Sequence, residues 1–289
     1  MSDEIAALAR RLWNVVEPVH AVVYFADEVH AAYRDIGLRG FWMGYFAGRA
    51  HPLGAAPPEL VTATFFNFHP AMVERAIPDA WTYSSPHRVG AVRHAAVNQA
   101  LGRLLGDLAD GPTIAAAAGL AAAAVEDCDP AGRALYGAHA ALSWPDDPLL
   151  RLWHACTLLR EHRGDGHVAA NLAHGLSGLD AHVLVAADGP IARSDLQPNR
   201  GWSDDDWIEA EAALTERGLL AGGQLTARGR HLRIDVEATT DRLAAEPVRR
   251  LGADRTRQLI DLLHPLAERA ISAGGIPVPN PMGVPWPPP

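Results

Sequence analysis

Apolar residues recur every three to four positions along most of the chain. Ile5, Leu8, Leu12, Val15 and Val16 form one stripe. Val19, Val22, Val23, Ala26, Val29 and Tyr33 form a second, and Gly37 follows as a stop signal. Pro18 falls between them, where it predicts the first turn of a new helix. The stretch PPELVTATFFNF predicts a helix headed by prolines. Ser84 and Ser85 are candidate caps for a helix with Val89, Val92, Ala96, Ala100 and Leu104 on one face. Further helices are predicted over roughly 113–127, 130–142, 147–162, 167–176 and 179–187. Strand-like alternation is nearly absent before residue 215, so the fold class is mainly α, beginning with an all-helical domain.

The pattern changes near 188–202, where DGPIARSDLQPNRG carries turn formers without apolar periodicity. Ser203 then predicts a helix cap, with acids in the first turn. GLLAGGQLT reads as a very short hairpin, and Thr226 opens another helix. Helix, ribbon, helix is a winged-helix pattern with a reduced wing. One more helix is predicted from Asp254 to Ala273, followed by the proline-rich IPVPNPMGVPWPPP, expected to lie extended with Trp286 against the body. The domains expected are residues 1–190, 191–275 and a tail, 276–289.

Composition changes this picture little. The chain has 289 residues, 48% hydrophobic and 20% charged, with a formal net charge of −9. All 25 basic residues are arginine, a bias that genome composition alone produces and that marks no site. A net acidic chain is a poor partner for nucleic acid unless its arginines gather on one face. Cys128 and Cys156 lack CxxC spacing. No secretory leader and no membrane-length apolar run is present, so a cytoplasmic protein without a membrane partner is expected.

Three stretches carry candidate chemistry. In EHRGDGHVAA, residues 161–170, Gly164 predicts the end of one helix and Asp165 the cap of the next. His162 and His167 would then face each other across a corner dense in ionisable groups, with Asn171 one turn beyond His167. His154 and His162 stand eight residues apart, about 12 Å along one helix, too far to share an ion. No histidine pair has chelating spacing, so no metal site is expected. In the aromatic segment, Gly40, Gly44 and Gly48 interleave with Trp42 and Tyr45 and predict a close helix approach. TFFNFHP supplies Asn67 and His69, the histidine placed at a corner by the proline after it. His20 and Tyr24, four apart, are expected to face the same space. No nucleophile elbow, P-loop or dinucleotide motif is present, so catalytic residues and cofactors remain unnamed.

Together RGFWMGYFAGRAHPLG, FFNFHPAMVERAIPDAW, LLREHRGDGHVAA and RGWSDDDWIEAEAALTERGLL resemble a largely uncharacterised family of actinobacterial helical proteins. That family is catalogued by a helix-turn-helix-like domain, and the resemblance runs from about residue 10 to 270. It implies a winged-helix fold and little about function. The C-terminal part also resembles the wing region of multiple-antibiotic-resistance-type regulators. The reading carried forward is a small-molecule-binding protein with a degenerate winged helix. Its expected ligand site is His20, Tyr24, Trp42, Tyr45, Asn67, His69, His162, Asp165, His167 and Asn171. Two alternatives stand beside it. One is an enzyme of secondary metabolism using His162, His167 and His69 as acid–base groups. The other is a DNA-binding regulator, which the acids of the helix in the recognition position disfavour. A homodimer is a further expectation.

Overall fold

The computed structural model describes residues 2–189, 191–278, 280, 282–283 and 286–288. The chain is mainly α-helical. Helix α1 spans Ser2–Phe25, α2 Asp27–Asp35 and α3 Gly40–Ala50. After these come α4 (Pro58–Phe65), α5 (Pro70–Glu74), α6 (Ala80–Tyr83) and α7 (Pro86–Leu105). Then follow α8 (Pro112–Val125), α9 (Ala134–Ala140), α10 (Pro148–Ala173), α11 (Gly178–Asp188) and α12 (Arg193–Leu196). The winged segment is α13 (Asp204–Glu216), β1 (Leu220–Ala221), β2 (Gln224–Leu225) and α14 (Ala227–Leu243), and α15 (Glu246–Leu251) and α16 (Ala253–Ser272) close the order. No helix among the described residues is long and apolar enough to cross a membrane.

Pro18 does not divide the first two stripes. It lies inside α1, and the break comes at Ala26, whose extended backbone precedes α2. A proline removes one backbone donor, but Val15, Val16, Val19 and Val22 are all buried, and that continuous apolar face holds the helix through it.

The winged segment follows its local chemistry. Ser203 and Asp206 form a reciprocal capping box at the start of α13. The two strands pair Leu220 with Leu225 and Ala221 with Gln224. Gly222 and Gly223 between them both have positive φ, as a two-residue primed turn requires. Thr226 caps α14 by accepting the Gly229 N–H.

Apolar contacts sort into two cores. The first takes residues between Leu8 and Leu159 and again between Ala244 and Ile276, so the helices after the winged segment return to the N-terminal body. The second runs from Ala170 to Val236. Helix α10 belongs to both, with Leu149–Leu159 in the first and Ala170 in the second. Its middle turns, the polar EHRGDGH stretch, bridge the gap.

That stretch requires the largest correction. Residues 161–170 are not a corner: α10 runs unbroken through Gly164 and Gly166. A glycine costs a helix interior about 1 kcal/mol, and here tertiary contacts outweigh it. At Gly166 a side chain would meet Arg133 at 3.0 Å and Leu243 at 3.1 Å. The space left open admits the Arg133 guanidinium, which donates to the carbonyls of His162 at 2.5 Å and Leu243 at 2.7 Å. Asp165 does cap a helix, but a neighbouring one. Its carboxylate accepts the Tyr136 N–H in the first turn of α9 at 2.9 Å.

Candidate functional site: a cavity between the two cores

A cavity of about 910 Å³ opens between the two cores. One wall is aromatic. The Trp42 and Tyr45 rings on α3 lie 5.6 Å apart, and Tyr45 lies 5.6 Å from Phe68. This wall can form because α3 sits tightly on α2. A side chain at Gly44 would meet the Tyr33 ring at 2.7 Å, and one at Gly48 would overlap its hydroxyl. Gly40 has no such neighbour.

The floor is ionic. Glu161, fully buried on α10, accepts from Arg160 at 2.9 Å and from Arg49 at 3.2 Å. Arg160 also reaches Glu17 at 3.4 Å. Burial alone would push the Glu161 carboxyl up, but the Arg160 and Arg49 guanidiniums outweigh it and hold the group far below the usual carboxylate range. Nearer α14, Arg163 pairs with Asp241 at 2.7 Å and Glu237 at 3.5 Å. Arg10 joins both of these acids.

Two histidine tautomers follow from hydrogen-bond bookkeeping. The Thr157 hydroxyl donates its one proton to the Trp153 carbonyl, so its oxygen accepts from His20 Nδ1 at 3.0 Å. His20 Nε2 is then a lone pair, and the Tyr24 hydroxyl donates to it at 2.9 Å. In the same way the Thr240 hydroxyl donates to the Val236 carbonyl and accepts from His167 Nδ1 at 3.0 Å. His167 Nε2 is left as an acceptor on a ring that lines the cavity. Burial holds both histidines below their ordinary value, so both are neutral near pH 7. Burial also pushes the Asp165 carboxyl up to about 6.

Of the residues expected from sequence, Tyr24, Trp42, Tyr45, Asn67, Asp165, His167 and Asn171 line this cavity. His20 stands behind Tyr24 rather than in the wall. His69 does not join them. Its Nδ1 accepts the Ala71 N–H as the cap of α5, and its ring packs 4.9 Å from Trp202 beside a separate surface hollow. His162 and His167 do not face each other either. On one continuous helix, five residues turn the side chain by about 140°. His162 therefore points away, into a buried niche with Cys128 and Glu246.

The donor atoms of Cys128, His162 and Glu246 lie within 4.8 Å of one another. Sequence spacing hid this grouping, because its members come from three separate segments. His162 Nε2 is 3.6 Å from Glu246, whose other oxygen is taken by Arg250 and the Asp129 N–H. The Cys128 thiol is pushed up to about 11, first by burial and then by Glu246.

Of the cavity's arginines, Arg160 and Arg163 stand in the ionisable stretch singled out from sequence, whereas Arg10, Arg49, Arg200 and Arg233 were missed. An arginine-only basic composition hides individual arginines as signals. The signal available was their partners: acids placed within otherwise apolar stripes, as Glu17 is between Val16 and Val19.

The model of a family described as a helix-turn-helix family matches residues 9–277. No curated protein matches the chain, and no solved structure matches it.

Proposed function

The chain belongs to that helix-turn-helix family, and from this premise we propose that it binds a small organic molecule in the cavity between its two cores. The winged segment serves as one wall of the site. The observation that carries this reading is the cavity itself. Its volume, about 910 Å³, is that of a site for a drug-sized ligand. Its walls join an aromatic face to a few oriented polar groups, including the His167 Nε2 acceptor.

Native mass spectrometry of freshly purified protein is expected to show a bound molecule released on denaturation. His167→Ala is expected to keep the fold and weaken binding by about 1–3 kcal/mol, the cost of an unpaired polar group in a buried site. A chain at its bare mass that also binds no aromatic probe, neutral or charged, would sink the proposal.

One observation favours acid–base catalysis as a second reading. Asp165, pushed up to about 6, and neutral His167 line the same cavity. Turnover of the molecule released from the protein distinguishes this from binding alone.

DNA reading finds less support, although the family's fold permits it. Helix α13, the recognition helix of the winged pattern, exposes Asp204, Asp205, Glu209 and Glu216. The ribbon turn is Gly222–Gly223 and offers no cation to a phosphate. Duplex DNA at physiological salt is therefore expected to produce no mobility shift. A sub-micromolar, salt-sensitive shift would instead promote the regulator.

A further inference from the structure

Six arginines line the cavity, and five have an acid. Arg49 and Arg160 share Glu161, with Glu17 completing the group. Arg10 and Arg163 share Glu237 and Asp241. Arg233 lies 3.1 Å from Asp188. Arg200 differs. Among the described residues no carboxylate stands within ion-pair distance of it, and Tyr45, Arg49, Arg160 and His182 are its charged or ionisable neighbours. Its Nε is buried without a hydrogen-bond partner. One terminal nitrogen donates only to the adjacent Asn199 carbonyl, at 3.0 Å. Its guanidinium carbon sits 4.8 Å from the Phe68 ring centroid, against the aromatic wall.

This cation is held in place deliberately by its surroundings. The Arg200 carbonyl accepts the His69 N–H at 2.8 Å, and the Trp202 indole donates to the Asn67 carbonyl at 3.1 Å. The connector carrying Arg200 is thus clamped to the corner after α4. Tight backbone packing fixes the same corner, because a side chain at Gly178 would meet the Phe66 carbonyl oxygen at 2.3 Å. A half-buried guanidinium whose Nε is shut off from water, flanked by two more and given no anion, is an incomplete ion pair. Burial, with Arg49 and Arg160 beside it, lowers its hold on its proton. Arg200 is thus the one arginine of this wall without a carboxylate in ion-pair distance among the described residues, although the chain as a whole is acidic.

We propose, resting on the small-molecule reading above, that the ligand is an aromatic monocarboxylic acid whose carboxylate pairs with Arg200 while its body lies along Trp42, Tyr45 and Phe68. A planar guanidinium fork matches a carboxylate with two parallel hydrogen bonds. One unmatched cation calls for a single negative charge, which fits a carboxylate better than a phosphate dianion. The rings beside it supply flat apolar area for an aromatic body.

The probes are 2-naphthoic acid and its neutral amide, 2-naphthamide, titrated calorimetrically into wild type, Arg200→Gln and Arg200→Lys. In wild type the acid is expected to bind at least about 10-fold tighter than the amide. Arg200→Gln should erase that preference while changing amide affinity less than about 3-fold, and Arg200→Lys should retain only part of it. Thermal unfolding supplies a second readout. Without ligand, Arg200→Gln should unfold at the wild-type temperature or above it, because the half-buried charge removed has no anion partner to lose. Equal binding of acid and amide by wild type would overturn the carboxylate inference and leave the cavity reading standing. Binding of neither would overturn both. A marked loss of thermal stability in Arg200→Gln would show that the guanidinium serves the fold, which also overturns the inference.

Discussion

Glu161→Gln is expected to destabilise the protein by about 3–5 kcal/mol, the usual consequence of removing one member of a buried ion group. Glu161 is fully buried and binds Arg49 and Arg160 together. The substitution preserves volume and removes the charge, so both guanidiniums would stay in a desolvated site with only Glu17 to share. The loss should appear as a lower urea midpoint with an unchanged m-value. Adding Arg49→Met should recover part of it, since one of the stranded cations is then gone. The two positions would show a coupling energy well above the few tenths expected of independent sites. A Glu161→Gln protein within 1 kcal/mol of wild type would mean that water reaches the floor of the cavity and screens these charges. The same substitution bears on ligand binding. With Glu161 neutral, the cavity floor gains a further unmatched positive charge beside Arg200, and affinity for an aromatic carboxylate should rise in any protein that remains folded.

The elements most legible in the sequence were those decided by local chemistry. Ser203 with Asp206, Thr226 before α14, and the double glycine between β1 and β2 each act through backbone groups a few residues away. The mainly helical class followed from periodicity in the same way. The EHRGDGH stretch misled for the opposite reason. Its two glycines and its aspartate are turn formers locally, but the contacts that decide them come from Arg133, Leu243 and Tyr136, distant in sequence. Once the corner became a helix, the placement of its histidines changed with it. His167 stayed with Trp42 and Tyr45 in the cavity wall, while His162 turned to Cys128 and Glu246. Arg160, Glu161 and Arg163 were legible as one ionisable stretch, but their partners Glu17 and Arg49 were not, because ion pairing across α1, α3 and α10 leaves no period in the chain.

Acidification from pH 7 to below 5 is expected to unfold the protein, and the cause lies in the first core. His51, His94, His139 and His154 come together there from four elements. Their ring centroids are 6.0 Å apart for His51 and His139, and 6.4 Å for the pairs His51–His94 and His94–His154. The Nε2 atoms of His51, His139 and His154 are buried without hydrogen-bond partners. Arg93, also buried, lies over Trp153 beside them, and Arg151 faces His154 from the same helix. Of these four histidines Glu161 reaches His139 alone, and among the described residues no acid compensates an added proton at His94 or His154. Burial first, then neighbouring cations, lowers both from 6.5 to about 4, and His51 and His139 move in the same direction. A folded-state value below the unfolded one gives stability that is complete above pH 6.5. It is lost as pH falls toward 4, because the unfolded chain takes up protons that the folded chain refuses. At about 1.4 kcal/mol per pH unit, that window is worth on the order of 3 kcal/mol for each of His94 and His154. Two such groups consume a large share of a typical domain's 5–15 kcal/mol. Urea titrations at pH 7, 6 and 5 should therefore show unfolding free energy falling steadily, and His154→Gln should flatten the slope even if it lowers the value at pH 7. An unfolding free energy unchanged between pH 7 and pH 5 would mean that these rings already carry, or readily find, partners for their protons.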